Sequence, residues 1–129
     1  MPFTRISLLE GRSPDYLKAI SDSFHQAMVD SFNVPPTDRF QAFHQHRANE
    51  LIVDPTYFSK GRSADCVIFT ITIGKPRDTA TKQAFYRRVV ELLGKSPGIR
   101  PEDIMIVIST STREDWSFSN GDIQMLEPA

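Results

Sequence analysis

The second residue of the chain, Pro2, is the first whose type suggests chemistry. A small residue after the initiator methionine lets that methionine be removed in the cell, and a proline that then begins the chain carries a secondary amine. Such an amine can hold, donate or accept a proton, or add to a carbonyl, and ordinary α-amines titrate at about 7.7–8.0. Taken alone, Pro2 is more simply read as an ordinary residue at the start of a strand.

Charged residues at two turns could act together with such an amine. Lys75 and Arg77 flank Pro76 where a predicted strand meets a predicted helix. A lysine and an arginine at one strand end suit a carboxylate, because arginine offers a bidentate fork and lysine a point charge. Asp38 precedes another strand and could serve as an acid or base, although capping a turn or pairing with Arg39 is commoner. A solvated basic turn is the simpler interpretation of Lys75 and Arg77.

Apolar residues near the carboxyl end form a third candidate group. Trp116 and Phe118 are two residues apart and share a face if the segment is extended, and Met125 adds apolar surface. Core packing is the usual role of such residues. A segment that follows the last strand could instead wall a pocket or pack on a neighbouring subunit.

Metal and cofactor sites lack their usual patterns. The chain has no GxGxxG, Walker loop, HExxH, EF-hand loop or Asn-x-Ser/Thr sequon, and Cys66 is its only cysteine. His44 and His46 would share a strand face, but no third ligand follows at a metal-binding spacing, and His25 is expected at the boundary of a helix's apolar face. We therefore predict no metal and no cofactor.

Length and charge restrict the class of protein. A chain of 129 residues predicts one domain, and 40% hydrophobic with 24% charged residues is ordinary globular composition. A net charge of −1 argues against nucleic-acid and membrane-surface partners. The chain has no apolar run near the ~20 residues of a membrane span and no signal-peptide core at its amino terminus. We predict a cytoplasmic protein that binds small molecules or protein partners.

The elements that must position these residues are predicted in two similar halves. In the first half, a strand at Phe3–Leu9 precedes a helix capped by Ser13, and strands follow at Arg39–His46 and Glu50–Val53. In the second half, a strand at Cys66–Ile73 precedes a helix capped by Asp78 and running to about Gly94. A strand at Ile104–Ile108, apolar at every position, is predicted to be covered on both faces.

The shared order of elements predicts an internal pseudo-repeat within one domain, 1–129. The repeats span about 2–60 and 66–110, and a C-terminal segment, 111–129, follows. We predict an α+β, two-layer fold in which duplicated β-α-β units form a four-stranded sheet with two helices on one face. The uncovered face of such a sheet in so short a chain predicts an oligomer of identical subunits.

Taken together, these residues resemble the tautomerase superfamily, and within it the malonate semialdehyde decarboxylases. The similarity runs over nearly the whole chain. It is carried by Pro2, Glu10–Arg12, His25 with Ala27–Val29, Pro36–Gln41, Gln45–Arg47, Glu50–Leu51, Gly61–Ser63, Pro76–Arg77 and Asp115–Phe118. The resemblance implies a homotrimer built around a barrel of sheets, with no metal and no organic cofactor.

The resemblance also implies an activity and roles for residues. The chain is expected to be a cofactor-independent decarboxylase of a short 3-oxo acid such as malonate semialdehyde. Pro2 would be the catalytic amine, as general acid or Schiff-base former, Asp38 the carboxylate that interacts with it and activates water, and Arg77 a clamp for the substrate carboxylate. Lys75 stands in place of the first arginine of an Arg-Pro-Arg motif. The apolar wall of the pocket would be formed by Trp116, Phe118 and Met125.

Two alternatives remain open at this point. One is a hydratase, dehalogenase or keto-enol tautomerase acting on small unsaturated or 2-oxo acids. The other is a non-catalytic trimeric binding protein built on the same scaffold.

Overall fold

The computed structural model describes residues 1–127, so the last two positions of the predicted segment 111–129 lie outside the described residues. Its strands and helices follow one another as β1 (Pro2–Leu9), α1 (Pro14–Phe32), β2 (Gln41–His46), β3 (Val67–Ile73), α2 (Thr79–Lys95) and β4 (Ile104–Thr110). Short 3₁₀ turns occur at Pro101–Asp103, Arg113–Asp115 and Gln124–Leu126. In this part of the chain no helix is long and apolar enough to cross a bilayer.

The four strands form one mixed sheet in the order β2-β1-β3-β4. β1 and β2 are parallel, as are β3 and β4, because a helix connects each pair. The two β-α-β units join through the antiparallel pairing of β1 with β3. The predicted fold class, a four-stranded sheet with two helices on one face, is confirmed.

One face of the sheet builds the core with both helices. Thr4, Ile6 and Leu8 of β1 are buried and alternate with more exposed residues, as the two-residue period of a strand requires. Phe24 of α1 stacks on Phe69 of β3 with ring centroids 4.2 Å apart. The packing of the core thus fixes the register of the central strands and the position of α1 on the sheet.

Side-chain caps set where the helices begin. The Ser13 hydroxyl accepts a hydrogen bond from the Tyr16 N–H at 3.1 Å, and an Asp78 carboxylate oxygen accepts one from the Thr81 N–H at 2.8 Å. α1 ends at Asn33, whose φ of 56° lies in the left-handed region that asparagine tolerates. Both predicted amino-terminal caps are therefore present.

In the single chain, three details differ from the prediction. Glu50–Val53 is not a strand, because no strand of the chain lies beside it to pair with. β2 begins at Gln41, two residues later than predicted, after Arg39 has turned away to pair with Asp22. β4 is covered on one face only, and Met105 and Val107 on its outer face are 39% and 43% exposed.

A buried carboxylate ties the two halves together at the far end of the sheet. Asp103 is fully buried and accepts hydrogen bonds from the Ser63 N–H and hydroxyl, both at 2.7 Å, and from Arg100 Nε at 3.2 Å. Burial alone would raise the pKa of Asp103, but these hydrogen bonds outweigh it and hold the pKa below its ordinary value.

We expect Asp103→Asn to lower the free energy of unfolding by about 2–4 kcal/mol, because a neutral amide cannot accept from all three donors. The depressed pKa of Asp103 means that its stabilising contribution is complete above about pH 4 and is lost as the pH falls through the folded-state pKa. The variant should therefore lose less stability than the wild type on acidification below pH 4. Urea unfolding at several pH values measures both effects.

Asp78→Asn is the matched control, since asparagine caps a helix as well as aspartate does. It should leave stability at neutral pH nearly unchanged. Equal acid sensitivity of Asp103→Asn and the wild type would contradict the assignment.

Candidate active site

Two loops meet at the start of β1. The first, residues 33–40, leads from α1 into β2, and the second, residues 74–78, leads from β3 into α2. Pro2 is buried between them and pairs with Ile73 at the end of β3. The sheet order therefore brings together residues that are far apart in the sequence.

The loop 33–40 holds Asp38 in a tight turn. The Asp38 N–H donates to the Pro35 carbonyl at 2.9 Å, and the ring of buried His25 lies with Nε2 2.8 Å from the Pro36 carbonyl oxygen. Asp38 Oδ2 lies 3.0 Å from the terminal ammonium of Met1, and the Asp38 side chain is 14% exposed. A largely buried carboxylate thus faces the amino terminus.

Arg77 is held by backbone carbonyls on both sides of the site. Its Nη1 donates to the Lys75 carbonyl at 2.6 Å and its Nη2 to the Phe32 carbonyl at 3.1 Å, and the guanidinium lies 5.1 Å above the Phe32 ring centroid. Partial burial lowers the pKa of Arg77, yet a guanidinium stays charged at neutral pH. Two of its five N–H groups are engaged in these bonds, so the remaining ones can bind a ligand.

These groups surround a cavity of about 420 Å³. Met1, Asp38, Lys75 and Arg77 supply three positive charges and one negative charge to its lining, an excess that favours a small anion. A second, much smaller cavity of about 10 Å³ adjoins it, and Pro2 and Gly74 line that one together with Met1, Lys75 and Arg77. Met1 lies between the two spaces.

The C-terminal segment packs beside this site rather than into it. The Trp116 indole N–H donates to the Ser111 hydroxyl at 2.7 Å, and that hydroxyl donates to the Ile73 carbonyl at 2.9 Å. Trp116 and Met125 both pack against Gly74. A Cβ atom added to this glycine would lie only 3.0 Å from Trp116 Nε1, so the close packing favours a glycine here. The segment is thus fixed to the residue that precedes Lys75.

Comparison with known proteins gives the family. A family model described as tautomerase enzyme matches residues 38–119, more than half of the chain, and a second of the same description matches residues 2–61. This chain belongs to the tautomerase family. A relative in Bacillus subtilis (strain 168), probable tautomerase YusQ, is 37% identical over 127 residues, which is 98% of this chain and 100% of the relative.

Solved structures support the same conclusion. One solved structure is that of malonate semialdehyde decarboxylase, an enzyme described as having decarboxylase and hydratase activities. It superposes on this chain with a TM-score of 0.91 and 34% sequence identity, and the match covers 96% of this chain and 95% of that one. A fused 4-OT symmetric trimer shares the fold at 18% identity and a TM-score of 0.74, over 92% and 93% of the two chains.

Four of the predicted site residues lie close together within the single chain. Pro2, Asp38, Lys75 and Arg77 line the two adjoining cavities. Trp116, Phe118 and Met125 line neither of these cavities in the single chain. The Phe118 ring stacks on Trp116 and lies tilted against Phe40, with both centroid distances 5.7 Å. Their role as a pocket wall stays a prediction.

The sequence prediction missed several lining groups of the tautomerase site. Phe32, Val34 and Thr81 line the larger cavity, and Gly74 lines the smaller one. Phe32 and Val34 follow the last predicted turn of α1, so an apolar pair at a helix end was the available signal. A glycine directly after an apolar strand was the signal for Gly74.

The two strand histidines lie on the outer face of the sheet, away from this site. His44 Nε2 is 3.2 Å from Arg5 Nη1, and because arginine only donates, this nitrogen accepts. Among residues 1–127 no three His, Cys, Asp or Glu side chains are grouped as a metal would require.

Proposed function

We propose that this member of the tautomerase family is a cofactor-independent decarboxylase of a short 3-oxo acid such as malonate semialdehyde, and that it acts once Met1 has been removed. The observation that carries the proposal is the Asp38 carboxylate 3.0 Å from the ammonium of Met1, the residue bonded to the Pro2 nitrogen, in a cavity that Lys75 and Arg77 also line. The 34% identity to malonate semialdehyde decarboxylase over nearly the full chain supports it.

The reaction breaks the bond between the carboxylate carbon and the α-carbon of the substrate. The electron pair of that bond moves toward the carbonyl group, giving carbon dioxide and an enolate whose charge lies largely on oxygen. A proton then reaches the α-carbon and yields the aldehyde. Catalysis therefore needs a group that stabilises the developing oxyanion more strongly than the neutral carbonyl.

In this proposal each charged residue has one task. Protonated Pro2 stabilises the oxyanion directly. Alternatively, the neutral Pro2 amine adds to the aldehyde and the adduct loses water, which gives an iminium that accepts the electron pair. Asp38 favours the protonated form of that amine, as a carboxylate does beside a cation, and can activate water. Lys75 and Arg77 hold the carboxylate so that the breaking bond stands perpendicular to the carbonyl plane.

The apolar wall would favour loss of charge from the substrate. Conversion of a carboxylate into neutral carbon dioxide is easier where water is sparse. Trp116 and Met125 support this role by packing on Gly74, next to Lys75, and Phe118 extends the wall by stacking on Trp116.

A second candidate is keto-enol tautomerisation or hydration of a small 2-oxo or unsaturated acid. The name probable tautomerase carried by YusQ, and the hydratase activity named for the solved decarboxylase, favour it. A tautomerase needs Pro2 as a base, so its activity rises with pH as the amine loses its proton, whereas the acid role predicts a fall. Full biological effect of a Pro2→Ala variant would instead indicate a non-catalytic binding protein.

NMR of the reaction mixture tests the proposal. Processed wild-type protein should convert malonate semialdehyde to acetaldehyde and carbon dioxide, and Pro2→Ala and Arg77→Ala should do so far more slowly. Faster turnover of an enolisable 2-oxo acid than of malonate semialdehyde would overturn the proposal in favour of the tautomerase.

We expect Lys75→Arg to lower KM for malonate semialdehyde by about 3–10-fold with little change in kcat, because the planar guanidinium adds a bidentate contact to the carboxylate. Steady-state kinetics measures the split. Lys60→Arg, the same substitution outside this cavity, should change neither constant. An unchanged KM for Lys75→Arg would contradict a contact between this residue and the carboxylate.

The subunit arrangement we propose is a homotrimer. The outer face of the sheet carries exposed Met105 and Val107, and the loop between β2 and β3 exposes 91% of both Ile52 and Phe58. Exposed apolar side chains of this kind are typical of subunit interfaces. The fused 4-OT trimer of the same fold supports the number three. Sedimentation equilibrium should give three times the 14.6 kDa chain mass.

A further inference from the structure

The last hydrogen bond between β1 and β3 depends on a residue that the proposed enzyme loses. The Gly74 N–H donates to the Met1 carbonyl oxygen at 3.2 Å, one step beyond the pairing of Pro2 with Ile73. Gly74 is buried. Removal of Met1 therefore leaves a buried backbone donor without its acceptor, and such a donor is costly unless another acceptor takes the place.

The Met1 carbonyl oxygen also marks a position close to the Pro2 nitrogen. Standard peptide dimensions place the oxygen about 2.3 Å from the nitrogen of the following residue. Removal of Met1 turns that nitrogen from an amide into an ammonium with two N–H groups. One position then has two donors directed at it, the Gly74 N–H and the Pro2 ammonium.

We propose that the substrate's carbonyl oxygen binds near the position of the Met1 carbonyl oxygen, shifted to a hydrogen-bond distance of about 2.8 Å from the Pro2 nitrogen, and that the Gly74 N–H and the protonated Pro2 form a two-donor oxyanion site. This inference rests on the proposed decarboxylation. The Gly74 N–H would meet a neutral carbonyl in the bound substrate and an oxyanion as carbon dioxide leaves, so its contribution grows along the reaction.

The surroundings of Gly74 hold this N–H in a fixed direction. The carbonyl of the same peptide group, that of Ile73, accepts from the Ser111 N–H at 2.8 Å and from its hydroxyl at 2.9 Å. Trp116 and Met125 close the space on the other side of the Gly74 Cα. A donor held in place before the substrate arrives needs no reorganisation during the reaction.

The same arrangement separates the two ends of the substrate. Lys75 follows Gly74 directly, and Arg77 lines both cavities. A 3-oxo acid with its carbonyl oxygen at Gly74 and Pro2 can therefore extend its carboxylate toward the two cations. Met1 lines both cavities, so its removal enlarges the space available to the ligand.

Amide NMR tests the binding position without any need for turnover. The probe is malonate, which carries a carboxylate in place of the aldehyde. We compare the processed chain with a Met1→Gly chain released from a cleavable fusion, which keeps a carbonyl in front of Pro2. The Gly74 amide should exchange with solvent at least about 10-fold faster in the free processed chain, and malonate should slow this exchange and shift the resonance.

In the Met1→Gly chain, the Gly74 amide should be protected with or without malonate. A Gly74 resonance that saturating malonate leaves unchanged in the processed chain overturns the inference. So does equal protection of the Gly74 amide in the two free chains.

A backbone ester in place of the Gly74 amide tests the catalytic role, because glycolic acid at this position replaces the N–H donor by an oxygen without changing any side chain. In the processed chain, kcat should fall about 10²-fold with KM changed little, as for loss of one oxyanion donor. The ester also weakens the Ile73 carbonyl as an acceptor for Ser111, but it does so in both chains. Only the Met1→Gly chain additionally loses a hydrogen bond, so the ester should lower its Tm by roughly 2–4 °C more.

The outcomes separate this inference from the proposed function. Decarboxylation that the ester does not slow overturns the oxyanion role of Gly74 and leaves the decarboxylase intact. A Gly74 amide that responds to malonate in a protein without decarboxylase activity overturns the reaction and leaves the oxygen-binding position intact.

Discussion

A chain that keeps a residue in front of Pro2 is expected to decarboxylate malonate semialdehyde about 10²–10⁴-fold more slowly than the processed chain. An amide nitrogen cannot hold the proton or add to the aldehyde, so both proposed routes are lost together. The fold should not change, because the structure accommodates Met1 with its ammonium 3.0 Å from Asp38. Turnover of the Met1→Gly chain, with intact mass as the check on its terminus, measures the effect.

Pro2→Ala is the matched variant, since alanine also permits removal of Met1 but leaves a primary amine. Its activity should lie between those of the processed and blocked chains if the amine acts mainly as an acid. Activity of the blocked chain equal to that of the processed chain would exclude the Pro2 nitrogen from catalysis.

Arg77→Ala is expected to lower kcat/KM by about 10²–10³-fold, the effect of removing one partner of a charge-assisted pair at a partly buried site. The guanidinium is already oriented by the Lys75 and Phe32 carbonyls, so little freedom is lost when it binds a carboxylate. The loss should fall mostly on carboxylate substrates. Comparing malonate semialdehyde with an uncharged aldehyde as competing ligands measures this selectivity.

Arg77 also has a structural role, and a control must separate the two. Arg39→Ala removes a cation next to Asp38 in sequence, but this arginine pairs with Asp22 at 2.6 Å and does not line the cavity. Arg39→Ala should keep its kcat/KM within about 3-fold. Equal losses in both variants, or recovery of full activity by Arg77→Ala at a temperature well below its Tm, would contradict a carboxylate clamp.

Local sequence signals were sufficient for most of the fold. Ser13 and Asp78 predicted the starts of both helices because capping is a local interaction. Glu50–Val53 failed because a strand needs a partner, and the order β2-β1-β3-β4 offers it none within the chain. The relation between the two halves as an internal repeat stays a prediction.

The candidate site could be predicted from the sequence only in part. The spacing of Pro2, Asp38 and Arg77 in the sequence could not predict that they lie close together, because their proximity depends on the order of strands in the sheet. The family resemblance predicted this proximity. Asp103 illustrates the limit. It lies 65 positions after Asp38 and falls on it when the two proposed repeats are aligned, yet its carboxylate is buried and bound to Ser63 and Arg100 instead. Backbone groups such as the Gly74 N–H have no signature in a sequence at all.

The contacts of Met1 in the folded chain affect when this residue can be removed. Its ammonium is bound by Asp38 and its carbonyl by Gly74, and the next residue already belongs to a strand paired within the sheet. An aminopeptidase must draw a terminus into its own cleft, so it competes with both contacts once the domain has formed. We therefore expect Met1 to be removed more readily from the nascent chain than from the folded domain, and a folded chain that keeps Met1 to be inactive under the proposed mechanism.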